Sequence, residues 1–482
     1  MPAKWKCFGV LMFFFGLPLP LILVGESQAD RQPPNVVFLL ADDLGWADTA
    51  LYGSDLHETP NIDRLARESL RFTNAYAASP VCTPTRASIM TGKYPARLHM
   101  TVWHEASANP PLDRRLVPPV TLGSLPHAEV TLAEVFHDAG YMTAHVGKWH
   151  LGTAGFYPET QGFDINIGGT FWGAPQTFFY PYRGTKHFGG EPRYVPHLEG
   201  GKAGEYLTDR LTDEALKILD SAKGRPFFLY MAYHSVHTPI EGKPEVTERY
   251  RNKIRPGLRH KNAHYAAMVH SLDQGVGRVL EKLDELGVAD NTVIVFTSDN
   301  GGYINTFEGQ AVTDNHPLRS GKGSLYEGGV RVPAMVKWPG VTRAGRVSDE
   351  PVITTDYYPT LLEIAGLKGD PKHNRTVDGK SLVALLKNPA TRLQREALFF
   401  HYPHYYYYPT TSPVSAVRLG NWKLLEYYED NRLELYNLAN DLGEAEDLAA
   451  SEPGKTAELR ERLHTWLKSV DAQFPQPNSA SR

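Results

Sequence analysis

"NVVFLLADDLG", residues 35–45, decides the fold. A nearly unbroken apolar run from Asn35 to Ala41 stops abruptly at Asp42-Asp43. A run of this length without polar alternation reads as a strand buried on both faces, the kind that makes a parallel sheet. Other runs have the same form. "YMTAHVG" (141–147) stops at Lys148-Trp149-His150, "PFFLYMAY" (226–233) at His234 and then His237, and "NTVIVFTS" (291–298) at Asp299-Asn300-Gly301-Gly302. Between them lie helical patterns: "TLAEVFHDAG" (131–140), closed by Gly140, and the long amphipathic "HYAAMVHSLDQGVGRVLEKLDELGV" (264–288). Strand–helix alternation predicts an α/β fold with a large, mostly parallel sheet covered by helices on both faces.

In such sheets ligands bind beyond the carboxyl ends of the strands. The strand endings here carry Asp42, Asp43, Asp299, Asn300, Lys148, His150, His234 and His237, which predicts a converging site. Asp42, Asp43, Asp299 and Asn300 offer only oxygen donors, a set that suits Ca²⁺ or Mg²⁺ over zinc. The plainer reading of each is local: Asp-Asp capping the next helix, and Asp-Asn-Gly-Gly as a turn.

The remaining chain sets the frame. Its 482 residues and 41% apolar content support one large domain with a smaller one. A net charge of −4 provides no basic field for nucleic acid. At the start, Lys4 and Lys6 precede the apolar "CFGVLMFFFGLPLPLILV", and Ser27-Gln28-Ala29 offers small residues for cleavage before Asp30. Residues 1–29 therefore read as an export signal, with an uncleaved anchor as the competing reading. The mature protein is expected in a periplasm or outside the cell, with no membrane segment once the signal is cut. From about residue 385 short antiparallel strands are expected, with turns at Gly420-Asn421 and Glu429-Asp430-Asn431, then a helix over "GKTAELRERLHTWLKSV". The domain plan is a catalytic domain over 30–384, a C-terminal α+β subdomain over 385–474 and a disordered tail over 475–482. Asn374-Arg375-Thr376 forms a glycosylation sequon.

Cys7 falls in the leader, so Cys82 is the mature chain's single cysteine. It opens "CTPTRASIMTG", which reads as a helix start with Pro84 in the first turn and Arg86 close by. A helix N-terminus beside an arginine is an anion site, and a cysteine there is either a low-pKa nucleophile or a small buried residue.

Cys82-Thr83-Pro84-Thr85-Arg86 resembles the C-x-P-x-R core of the type I, formylglycine-dependent sulfatases, members of the alkaline phosphatase superfamily. The extension through Pro95 matches that family's longer signature. Asp42-Asp43, "GKWHLG", "HTP", "SDNGG" and "GKGSLYEGGVRVP" follow in the family's order, so the resemblance spans about Asn35 to Leu448. It implies an alkaline-phosphatase-like core with a small C-terminal subdomain carrying an antiparallel sheet. It also implies that Cys82 is converted to Cα-formylglycine by a formylglycine-generating enzyme or an anaerobic maturase. One hydroxyl of the hydrated aldehyde would attack sulfur, and the second would allow sulfate to be expelled.

Position by position, the resemblance makes Asp42, Asp43, Asp299 and Asn300 ligands of one Ca²⁺ (Mg²⁺ as the lesser choice), with residue 82 on the same ion. Arg86 would steady the hydrate. Lys148, His150, His237 and Lys322 would surround the sulfate, where fixed donors lower the barrier to sulfuryl transfer. Either Lys322 or His237 would protonate the leaving oxygen, and His150 would assist elimination. His234, which has no matching position, is expected to be structural or to support the site residues from behind.

The rival activities are a phosphodiesterase or phosphonate hydrolase on the same fold, and a catalytically inactive sulfatase-like binding protein. The Asp299-Asn300 pair, where two-zinc phosphatases prefer Asp-His, speaks against the first, and retention of every motif residue against the second. For substrate, the aromatic segments "FWGAPQTFFYPYRGTKHFGG" (171–190) and "HYPHYYYYP" (401–409) suit sugar rings. A sulfated carbohydrate is expected, with His404 among its contacts. The competing reading of Tyr405–Tyr408 is a packed edge strand.

Overall fold

The computed structural model describes residues 1–10, 32–406 and 411–479. Residues 11–31, which hold most of the expected export signal, lie outside them, as do Tyr407, Tyr408 and 480–482. Residues 1–10 are exposed and contain no helix or strand. Among the described residues no helix is long and apolar enough to cross a membrane.

Pro33–Arg482 form one compact unit. Its centre is an eight-stranded sheet in the order Arg346–Ser348, Leu70–Phe72, Ala334–Lys337, Thr292–Ser298, Asn35–Ala41, Phe227–Ala232, Met142–Gly147, Ile165–Ile167. The last five of these run parallel. Ala334–Lys337 is antiparallel to both neighbours, which makes the sheet mixed at one side. The four strands anticipated from apolar runs form the middle of the sheet. The short strands at its edges have too few residues to show a pattern in sequence.

Residues Val36, Phe38 and Leu40 enter one apolar layer with the helices Cys82–Thr91, Leu132–Asp138 and Tyr357–Ala365. Val37 and Leu39 enter the other, beneath Leu207–Ser221 and Ala263–Glu285. This is why the strand has no polar alternation: both faces are covered, and each fully buried Val or Leu contributes about 1.5–3 kcal/mol.

The C-terminal strands Leu398–Tyr402, Val414–Leu419, Trp422–Tyr427 and Leu433–Asn437 make a four-stranded antiparallel sheet in chain order, with the helix Pro453–Ser469 against it. Gly420, at φ +58°, turns Leu419 onto Trp422 through the two-residue loop foreseen at Gly420-Asn421. This sheet shares an apolar core with Tyr76, Val81, Leu325 and Val330 from the main body. A buried ionic cluster also ties them: Lys423 Nζ lies 2.9 Å from both Glu327 Oε1 and Glu444 Oε1. The expected disordered tail is corrected in its first part. Gln476 and Pro477 pair with Val117 and Leu116, and Asn478 Nδ2 donates to the carbonyls of Leu112 and Arg114 at 2.8 Å.

Candidate active site

The in-register strand ends bring the charged residues together. Ala41 is level with Ser298, and Gly147 with Ala232. The backbone then locks the turns that follow: Asp42 N donates to Ser235 O, Val236 N to Asp42 O, and Asp299 N to Ala41 O. The turn after Ser298 needs glycine because a Cβ on Gly301 would stand 1.8 Å from Gly328 O. That close approach lays "GKGSLYEGG" across the strand end, and Lys322 N donates to Gly302 O at 3.1 Å.

Cys82 is the first residue of the helix Cys82–Thr91. Its Sγ is buried 3.6 Å from Asp42 Oδ1 and 3.9 Å from Asp43 Oδ1. One turn on, Arg86 is fully buried; its Nε donates to Asp299 Oδ2 at 2.8 Å and its NH1 to Lys148 O at 2.6 Å. Lys148 Nζ pairs with Asp42 Oδ2 at 2.7 Å, and Lys322 Nζ with Asp43 Oδ2 at 2.8 Å. His237 Nε2 is 3.6 Å from Asp43 Oδ2. Asn300 Nδ2 donates to Asp43 Oδ1 at 2.8 Å, while its buried Oδ1 has no hydrogen-bond partner among the described residues.

Burial pushes Asp42 up to about 7 against the pull of Lys148. At Asp43 burial is overcome by Lys322, His237 and Lys148, which hold the carboxyl well below the usual range. Burial pushes the Cys82 thiol up to about 12, with Lys148 and Lys322 offsetting only part. Burial also pushes His150 down to about 4 against Glu105, and holds His237 and His234 well below an ordinary imidazole.

A cavity of about 210 Å³ opens above this cluster, and Asp43, Cys82, His150, His237 and Lys322 are on its wall. Lys148 is not: it is wholly buried behind Asp42. His150 is pinned by its N–H to Thr170 O and by Thr83 Oγ1 on its own carbonyl. Among the described residues, neither of its ring nitrogens has a hydrogen-bond partner. His234 is buried and does not line the cavity.

The expectation for His404 is corrected. It is buried, its Nε2 is 2.8 Å from Thr101 Oγ1, and it does not line the cavity. Tyr406, two residues on, does. Sequence reading also missed Trp103, Glu105, Arg193 and Tyr303, all on the cavity wall. Glu105 Oε2 is 3.7 Å from His150 Nε2. Trp103 and Glu105 come from the short helix His104–Ala108 and its cap, and Arg193 from a two-residue strand, none of them in a motif, while Tyr303 directly follows Asp299-Asn300-Gly301-Gly302.

Asp42, Asp43, Cys82 and His237 each offer a ligand atom within 4.8 Å of the others. The partnerless Asn300 Oδ1 beside the carboxylates adds an amide oxygen. This cluster could hold a metal ion, and Asp42, Asp43 and Asn300 are its oxygen donors, the kind that hard divalent cations take.

The family profile described as Sulfatase matches residues 34–367. The chain belongs to the sulfatase family. This sulfatase is a sulfuric ester hydrolase, and residues 320–473 match a second profile, N-sulphoglucosamine sulphohydrolase, C-terminal. It is 34% identical to a "Sulfatase" of Formosa agariphila over 97% of this chain and 95% of the relative. It is 36% identical to human N-acetylgalactosamine-6-sulfatase over 78% of this chain and 70% of the relative. Among solved structures it resembles Ps i-CgsB, with a TM-score of 0.75, 32% identity, and coverage of 90% of this chain and 93% of that one. That protein has also been solved with k-i-k-neocarrahexaose. The phosphonate monoester hydrolase of Agrobacterium radiobacter, at 20% identity and a TM-score of 0.64, shares the fold.

Proposed function

We propose that this sulfatase hydrolyses sulfate esters of a carbohydrate, with residue 82 working as a Cα-formylglycine hydrate and one Ca²⁺ held by Asp42, Asp43, Asp299 and Asn300. The observation that carries it is the seat of Cys82, at a helix N-terminus, between two carboxylates and on the wall of the cavity that holds His150, His237 and Lys322. The names of its relatives support the carbohydrate: N-acetylgalactosamine-6-sulfatase, and a structure with a neocarrahexaose. The bound cation would supply positive charge to activate the hydroxyl and to offset charge on the sulfate.

The chain's own residues do the rest. Arg86 is clamped by Asp299 and the Lys148 carbonyl, which sets the pitch of the helix that presents residue 82. Lys148 acts from behind by orienting Asp42. Lys322 and His237, both next to Asp43, are placed to donate to sulfate oxygens and to the leaving oxygen. His150, with both ring nitrogens open and Glu105 beside it, is placed to move a proton at residue 82. The leader ending at Ala29 would direct export to the periplasm or beyond, and a formylglycine-generating enzyme or anaerobic maturase would modify Cys82.

Mass spectrometry of the tryptic peptide 72–86 from active enzyme is expected to show the loss that converts thiol to aldehyde. A fully active preparation with an intact thiol overturns the mechanism. A panel of sulfated sugars and phosphodiesters, assayed for released sulfate and phosphate, is expected to yield sulfate from a sugar; faster phosphate release overturns the substrate class.

A further inference from the structure

Between residues 172 and 199 the chain leaves the sheet and builds a shelf beside the active-site cavity. A short ribbon pairs Arg183–Gly184 with Arg193–Tyr194. It is braced by Val195 N on Tyr182 O, and by Gln176, whose Nε2 donates to the carbonyls of His187 and Glu191 and whose Oε1 accepts from His187 N. Arg193 is fixed in place. Its Nε and NH2 donate to Glu191 Oε2 at 3.0 and 2.7 Å, and its guanidinium lies over the rings of Phe188 and Trp172, 3.9 and 5.0 Å from their centroids.

Arg193 lines two cavities. One is the active-site cavity; the other is a separate hollow of about 660 Å³, walled by Tyr180, Arg183, Tyr194 and Glu199 among others. Arg183 and Tyr194 are exposed, and among the described residues no carboxylate pairs with Arg183. The active-site cavity is the smaller of the two, and Lys322 on its wall is paired with Asp43. The larger hollow has ring faces, proline walls and an uncommitted guanidinium, features that suit a sugar ring bearing an anionic group.

We propose that this hollow is a subsite for the neighbouring sugar of an anionic oligo- or polysaccharide. Arg193 stands between the two sugars, while Arg183 and Tyr194 take the neighbour's sulfate or carboxylate and its ring face. The substrate is then a chain with at least one negative group beyond the sulfate that is cleaved. This rests on the carbohydrate reading above.

The test separates the two. Calorimetric titration of the full-length Cys82→Ala protein, which binds without turnover, uses a sulfated galactan hexasaccharide (sulfate only), a chondroitin sulfate hexasaccharide (sulfate and carboxylate), and the sulfated monosaccharide of each. At least one hexasaccharide is expected to bind about tenfold more tightly than its monosaccharide. Adding Arg183→Ala with Tyr194→Ala, both surface changes, is expected to abolish that advantage while the monosaccharide affinity and the melting temperature stay unchanged. The backbone preferred tells whether sulfate or carboxylate is read. Equal affinity for long and short sugars, or an advantage retained in the double variant, overturns the subsite. Length-dependent binding without sulfate release from any sugar by the aldehyde-bearing enzyme overturns the carbohydrate-sulfatase reading instead.

Discussion

Arg86 Nε donates to Asp299 Oδ2 at 2.8 Å, with both side chains sealed from solvent. This pair joins the helix that presents residue 82 to the end of the strand Thr292–Ser298. Arg86→Ala leaves Asp299 as a buried carboxylate without its cation. The expected loss is about 3–5 kcal/mol in urea unfolding, together with loss of sulfate release. Arg86→Lys keeps the charge but not the fork to the Lys148 carbonyl, so it should fall between. Wild-type stability for Arg86→Ala would show that the pair does not anchor the helix.

Removing the divalent ion should weaken both stability and turnover. With EGTA, Asp42, Asp43 and Asp299 have only Lys148, Lys322 and Arg86 to balance them. Calcium restored to about 100 times its Kd should add about 2.7 kcal/mol. Elemental analysis should find one calcium per chain, and Asn300→Ala should raise the calcium needed for half-maximal recovery. Two tightly bound zinc ions would contradict the oxygen-ligated site.

Gly173 packs on His150 so closely that an added Cβ would stand 2.3 Å from its Cε1. In Gly173→Ala the imidazole must move. A displacement of about 1 Å in an active site costs about a hundredfold in rate, so kcat should fall by that order while the melting temperature changes little. A wild-type kcat would remove His150 from the proton-transfer role.

His404→Ala should act on stability alone. It deletes the bond to Thr101 inside the core, a loss of about 1–3 kcal/mol. Tyr406→Ala, on the cavity wall, should instead change the ratio of kcat/KM for a sulfated sugar to that for an aryl sulfate. If His404→Ala changed that ratio and Tyr406→Ala did not, the assignment of the two residues would be reversed.

Glu444 shares Lys423 with Glu327, and burial pushes its carboxyl up from the ordinary range to about 7. A carboxyl with a raised folded pKa favours folding fully below its unfolded pKa and loses that contribution as pH rises through about 7. Between about pH 5 and about pH 8 the wild type should therefore lose more stability than Glu444→Gln in urea unfolding. Parallel curves for the two proteins would show that Glu444 ionises as freely in the fold as outside it.

Much of this was legible in the chain because its physics is local. Asn35–Ala41, Phe227–Ala232 and Thr292–Ser298 are apolar without alternation since both faces of each strand are buried, and burial writes itself directly into composition. The charged residues that follow sit at strand ends because only there can a parallel sheet present side chains from distant parts of the chain to one ligand. Asp42, Asp43, Asp299 and Asn300 could thus be grouped from strand ends alone, whereas Cys82, Arg86 and Lys322 joined them only through the motifs that resemble the sulfatases.

What surrounds them was decided by tertiary packing. His404 and Tyr406 are two residues apart in an aromatic run, and nothing in that run says which faces Thr101 in the core and which faces the cavity. Lys148 belongs to a motif, yet its position behind Asp42 and off the cavity wall follows from the depth of the strand end. Glu105 comes from the short helix His104–Ala108, and Arg193 from a two-residue strand held by its contacts with Trp172, Phe188 and Glu191. The central strands and the acidic residues at their ends could be read from the chain, because burial on both faces and residue types at strand ends are local properties. The cavity wall and the hollow beside it follow from tertiary packing, because a loop's course is the sum of many weak, distant contacts that leave no period in the chain.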